Sequence, residues 1–154
     1  MLDLLRRQFF MFSPKKYRKQ LLDLGIEGME IDVSTIDNAM TTLNELNEIE
    51  KILKKIRYNV RADIRKIIRD YFTKLKDLDE SNNKKGLISR KKSISKIIKE
   101  KKRLIKERNL TIAIYEVVEN TIDDYLDQIE NSRSYIKKSI ERGVSNNKFF
   151  FILI

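Results

Sequence analysis

From Ser34 to Lys85 the chain contains neither Gly nor Pro. So long a stretch without the residues that interrupt helices leaves few folds open, and the spacing of its apolar residues decides among them. Ile36, Met40, Leu43, Leu46, Ile49, Leu53, Ile56, Val60, Ile64, Ile67, Tyr71, Leu75 and Leu78 follow one another at steps of three or four, with one longer interval at none of them. That is a single apolar stripe along a helix, not the alternation of a strand. The pattern predicts one long helix over about residues 35–79, opened by Ser34 with Asp37 three residues later in a capping-box-like start. From Leu53 to Leu78 the steps run nearer an eleven-residue than a seven-residue repeat, so little left-handed supercoil is expected there.

"DESNNKKG", Asp79 to Gly86, reads as a polar turn over about 79–87. A second stripe follows in Ile94, Ile98, Ile105, Ile112, Tyr115, Ile122, Leu126, Ile129, Ile136 and Ile140. It predicts a second long helix over about 88–142, with polar residues breaking the near-heptad seam at Lys101, Arg108, Glu119 and Arg133. A short polar connection makes neighbouring helices antiparallel. Upstream, Ser13-Pro14 is an N-cap followed by Pro at the first helical position, and Gly25 is the matching stop, which places a short helix at about 14–24. "GIEGMEIDV" is then a connector, and the apolar tail "KFFFILI", residues 148–154, favours strand and needs a cover. The expected fold is all-α: a long antiparallel helical hairpin, coiled-coil-like, with a short N-terminal helix, forming a single helical domain over 1–154. Four Gly, one Pro and 36% charged residues agree with long helices rather than sheets and turns.

The chain has no Cys and no His. Disulfides, thiol nucleophiles, Ser-His and Cys-His pairs and ordinary zinc sites are therefore excluded. "MLDLLRRQFFMF" is interrupted by Asp3, Arg6 and Arg7, so it is not read as a secretory signal, and no apolar run reaches the length of a spanning helix. A cytoplasmic protein without a membrane span is expected.

Charge is sorted along the chain. Lys and Arg minus Asp and Glu give +2 for residues 1–30, −4 for 31–48, +4 for 49–80, +10 for 81–108, −6 for 109–131 and +4 for 132–154, within a net charge of +10. In a hairpin turned near Asp79 to Gly86 the basic segments come side by side near the tip and the acidic ones near the open end. Two features stand out in the basic half. Arg57, Arg61, Arg65 and Arg69 recur every fourth residue, a ladder with rungs about 6 Å apart along the axis. Lys92, Lys96, Lys99, Arg103 and Lys106 form a ridge away from the Ile94, Ile98 and Ile105 stripe. Guanidinium groups hold phosphate or carboxylate in a bidentate fork, so these nine residues are the candidate polyanion-binding set. The alternative is a solvated face with internal pairs to Asp63, Asp70, Glu100 and Glu107. Tyr58, beside Arg57 and Arg61, is expected to pack against its neighbours rather than to stack on a base.

Glu116, Glu119, Asp123, Asp127 and Glu130 share an acidic ridge that includes "DDYLD", Asp123 to Asp127. The string matches the DDxxD pattern of isoprenoid synthases, whose carboxylates hold magnesium on a diphosphate, but the second metal-binding element of such enzymes is missing. The ridge is read as a solvated or partner-binding face, with no catalytic residue, metal or cofactor. "IRYNVRADIRKI", Ile56 to Ile67, in a helical domain followed by the onset of a strand, resembles GINS replisome subunits, which would imply a replication-associated helical subunit.

These features predict a non-enzymatic helical interaction or assembly module, with a protein partner or self-association and a basic tip able to contact a polyanion. The alternative is a direct, largely sequence-independent binder of DNA or RNA.

Overall fold

The computed structural model describes the backbone of residues 11–83, 87–143 and 148–150, and the side chains of 11–81 and 94–143. In chain order the elements are α1 (Pro14–Asp23), a 3-10 turn (Ile26–Gly28), β1 (Glu30–Asp32), α2 (Ile36–Asn83), α3 (Leu87–Glu141) and β2 (Lys148–Phe150). The fold is a helical hairpin of two long helices with a short N-terminal helix. Among the described residues no helix is long and apolar enough to cross a membrane.

Local chemistry explains the boundaries. The Ser13 hydroxyl accepts from the Lys16 N–H at 3.2 Å, and Pro14 takes the first helical position, where a missing N–H costs nothing. Gly25 then turns the chain at φ 67°, a left-handed conformation that other residues adopt only under strain. The start of α2 differs from the expected one. Thr35, not Ser34, is the cap: its hydroxyl accepts from the Asn38 N–H at 3.0 Å. Ser34 is held by Asp32 instead, whose Oδ1 accepts the Ser34 N–H at 2.9 Å, while Oδ2 accepts from the Asn38 amide at 3.0 Å. Asp32 thus ties the end of β1 to the first turn of α2, a role that side-chain-to-backbone bonding gives Asp readily.

The expected polar turn is largely helical. Asp79 to Asn83 continue α2 and Leu87 already belongs to α3; residues 84–86 lie outside the described part, as do residues 1–10 of the segment read for a signal and 151–154 of the apolar tail. Polar composition alone does not end a helix, and Asp79 to Asn83 are all residues that a helix tolerates at modest cost. The part of the tail that is described forms β2, antiparallel to β1, with Glu30 opposite Phe150, Ile31 opposite Phe149 and Asp32 opposite Lys148. The "GIEGMEIDV" connector therefore contains a strand, paired with a segment far along the chain.

Contacts divide the molecule into two compact units: Met1–Val60 with Val118–Ile154, and Arg61–Val117. In the first unit, Leu43, Leu46, Leu53, Ile56 and Val60 of α2 meet Val118, Ile122, Tyr125, Ile129 and Ile136 of α3, all buried. Tyr17 and Leu21 of α1, Ile26 of the 3-10 turn, and Ile31 and Val33 beside β1 are also buried there and complete a core. Opposite charges mark the antiparallel register: Glu50 bonds Arg133 and Arg57 bonds Asp123, so the α3 partner moves backwards as α2 advances.

The second unit consists of the remaining parts of α2 and α3, and among its described residues Ile67, Leu104 and Tyr115 are buried apolar side chains. Lys101 pairs with Asp79 across it. Here the expected seam needs correction, because Ile94, Ile98 and Ile105 are 42%, 49% and 39% exposed. The side chains turned inward lie one residue away, at Ile97, Lys101, Leu104, Arg108 and Thr111, which continue the 4-3 spacing that reaches Tyr115, Val118 and Ile122. A helix keeps one inward line along its length, so the heptad set by the well-packed part overrides the isoleucine-rich flank. Ile36 and Met40 are likewise exposed, and Ala39 and Thr42 are buried in their place.

Candidate polyanion-binding surface

The second unit carries 18 Lys and Arg against 8 Asp and Glu, whereas the first carries 15 of each. The chain's entire formal excess of +10 therefore belongs to Arg61–Val117. What such a charge can do depends on which cations are already neutralised by neighbours, since a paired guanidinium has fewer donors left for a ligand.

Of the nine candidate cations, Arg57 lies in the first unit and is turned to the hairpin interface. Its Nη1 donates to Asp123 Oδ1 at 3.0 Å. This pair uses the first carboxylate of "DDYLD", and among the described residues no group of three or more acidic side chains converges as a metal site would require. Arg103 is paired as well. It grips Glu100 with two of its nitrogens, Nε at 3.0 Å from Oε2, and donates to Glu107 on the next turn. Arg103 lowers the pKa of Glu100 through this hydrogen bond, and the Arg103 guanidinium is in turn held more firmly charged, mainly by Glu100. These are the i,i+3 and i,i+4 pairs that the sequence offered as the solvated alternative.

The other candidates differ. Arg65 and Arg69 on α2, and Lys96, Lys99 and Lys106 on α3, are exposed, with no ion pair or side-chain hydrogen bond to another described residue. Arg61 is exposed and has an interaction of its own. The side chain of Lys92 lies outside the described residues. The polyanion set thus reduces to five open cations in the second unit, with Arg61 beside them.

Two residues that the sequence reading passed over belong to this surface. Ile68 and Phe72 are 46% and 67% exposed on α2, one helical turn apart, next to Arg65 and Arg69. The signal for them was present: the inward stripe uses Ile64, Ile67, Tyr71 and Leu75, so apolar residues one position further on are rotated by about 100° from it and cannot share its burial. Tyr58, expected to pack, is 67% exposed. Further along α3, Leu110, Ile114 and Val117 are also about half exposed.

The first unit has a different surface. A groove of about 560 Å³ is lined by Leu24 and Met29, between α1 and α2 in the chain, and by Glu45, Glu48 and Ile49 of α2. Glu50, nearby in sequence, accepts from Lys54 at 2.6 Å and from Arg133, and these partners hold its carboxyl below the usual glutamate range. Two of the unit's ion pairs, Glu50 with Arg133 and Arg57 with Asp123, join α2 to α3.

No family model matches the chain, and no curated protein or solved structure matches it either. The resemblance of Ile56 to Ile67 to GINS subunits rests on that segment alone.

Proposed function

We propose that the protein is a non-enzymatic helical interaction module whose second unit contacts a polyanion. The observation that carries this reading is the coincidence of all the excess positive charge with a set of exposed cations that have no carboxylate partner among the described residues. Like charges one turn apart destabilise an isolated helix by about 0.2–0.5 kcal/mol per pair, and Arg65 with Arg69 is such a pair; an anion laid along α2 relieves that repulsion. The exposed Ile68 and Phe72 beside these cations point the same way, toward a surface that is covered by something else when the protein works.

A second reading is direct, largely sequence-independent binding of nucleic acid. It is favoured by arginine rather than lysine at 65 and 69, because the planar guanidinium holds a phosphate in two parallel bonds. A protein partner or a second copy on the exposed Leu110, Ile114 and Val117 side is compatible with either reading.

The test is a fluorescence-anisotropy titration of the full chain against labelled duplex DNA and single-stranded RNA at two salt concentrations, with light scattering to follow self-association. Backbone contacts release counterions, so affinity should fall at least about tenfold between roughly 50 and 200 mM salt. Absence of binding to either at low salt would remove the polyanion contact and leave a protein-interaction hairpin.

A further inference from the structure

Arg65, Ile68, Arg69 and Phe72 occupy positions i, i+3, i+4 and i+7 of α2, which makes them one continuous strip along a single helical face. All four are exposed, Phe72 by two thirds of its surface. A phenylalanine that open on the outside of a helix gains little for the fold. Among the described residues its ring meets no other ring and no cation, whereas its neighbour Tyr71, half-buried, has the Lys74 ammonium 4.6 Å from its ring centre. The open aromatic face and the two uncommitted guanidinium groups are therefore adjacent.

We propose that this strip binds a single strand of nucleic acid, with Arg65 and Arg69 on successive phosphates and a base stacked on Phe72. The inference rests on the polyanion reading above and specifies its ligand. Two parts of the geometry favour a single strand over a duplex or an acidic protein. A base paired inside a duplex has its faces covered by its neighbours, so only an unpaired base can use the Phe72 ring. An acidic helix would need a broad apolar band for its own hydrophobic face, and the strip on α2 is one side chain wide, with arginine beside each apolar residue. Stacking tolerates any base, since every base has a π-face, so binding is expected to be indifferent to sequence.

The test uses the full chain with oligonucleotides that carry 2-aminopurine, as single-stranded RNA, single-stranded DNA and duplex DNA, and linear polyphosphate as a polyanion without bases. Wild-type protein should change the 2-aminopurine fluorescence of the single strands and bind them more tightly than polyphosphate of equal charge. Phe72→Ala should weaken single-strand binding about tenfold and abolish the fluorescence change, with polyphosphate binding unaltered. Phe72→Leu keeps an apolar side chain without a ring and should behave like Phe72→Ala. Phe72 is exposed, so circular dichroism and the melting temperature of both variants should match wild type, which separates lost stacking from lost folding. The RNA and DNA arms show which strand is preferred. If both Phe72 variants bind single strands as wild type does while Arg65→Glu/Arg69→Glu does not, stacking is wrong and the polyanion reading stands. If neither the oligonucleotides nor polyphosphate bind at low salt, both fall. Displacement of bound polyphosphate by an acidic amphipathic peptide but by no single strand would overturn the nucleic-acid assignment in favour of a protein surface.

Discussion

Arg57 and Asp123, one from each long helix, meet at 3.0 Å and turn the first rung of an arginine ladder into a brace of the hairpin. Arg57 is about a quarter exposed and Asp123 just under half, so water screens the pair and its contribution to stability is small. A double-mutant cycle with Arg57→Ala and Asp123→Ala, followed by denaturant unfolding, should give a coupling energy below about 1 kcal/mol. The same pair predicts an effect on binding. Asp123→Ala frees Arg57 and should leave polyanion affinity unchanged or slightly raised, whereas Arg57→Glu should reduce it less than Arg69→Glu does.

Adjacent residues on α3 test the register of the second unit. Leu104 is buried and Ile105 is 39% exposed, the reverse of what the isoleucine stripe suggests. Leu104→Ala should destabilise the protein by about 2–3 kcal/mol, as truncation of a buried leucine does, and Ile105→Ala by less than about 1 kcal/mol. Equal losses, measured by chemical denaturation, would return Ile105 to the seam.

Much of the hairpin was legible because its signals are local and periodic. Ser13, Pro14 and Gly25 define α1 through capping chemistry, and Leu53, Val60, Ile67 and Tyr71 keep one face through α2. What escaped depends on distant partners. Ile94, Ile98 and Ile105 form a convincing stripe when taken alone, and only the packing of Tyr115, Val118 and Ile122 reveals that the inward line passes to their side. β1 could not be seen in "GIEGMEIDV", since its partner lies more than a hundred residues away and three residues are too few for a periodic pattern. Within the candidate surface, the ladder and the ridge were visible as spacing. The pairs of Arg103 with Glu100 and Glu107 were visible too, as i,i+3 and i,i+4 spacings, whereas the pairing of Arg57 was not, because Asp123 is brought beside it only by the packing of the two long helices.

Glu50 predicts the acid side of the stability curve. Lys54 and then Arg133 hold its carboxyl below the usual range, so folding favours the ionised form. A carboxylate depressed in the folded state stabilises above its unfolded pKa, and that contribution disappears as pH falls through the folded value. Stability should therefore decline as pH drops below about 5, and Glu50→Gln should flatten that decline while costing about 1–2 kcal/mol at neutral pH, where Arg133 loses a charged acceptor. Urea unfolding of both proteins across this range decides it: parallel curves would show that Glu50 carries none of the dependence.

The most direct test of the central claim is the slope of log affinity against log salt for a single-stranded oligonucleotide, compared between two charge-reversed proteins. One carries Lys96→Glu, Lys99→Glu and Lys106→Glu in the second unit, and the other carries Lys15→Glu, Arg18→Glu and Lys19→Glu on α1, an equal change of charge in the first unit. If the second unit meets the polyanion, wild type should show a slope of about −3 or steeper, the α1 variant should keep most of it, and the α3 variant should lose most of it. Equal flattening by both variants would mean that net charge alone attracts the ligand, and the assignment of a polyanion surface to Arg61–Val117 would be contradicted.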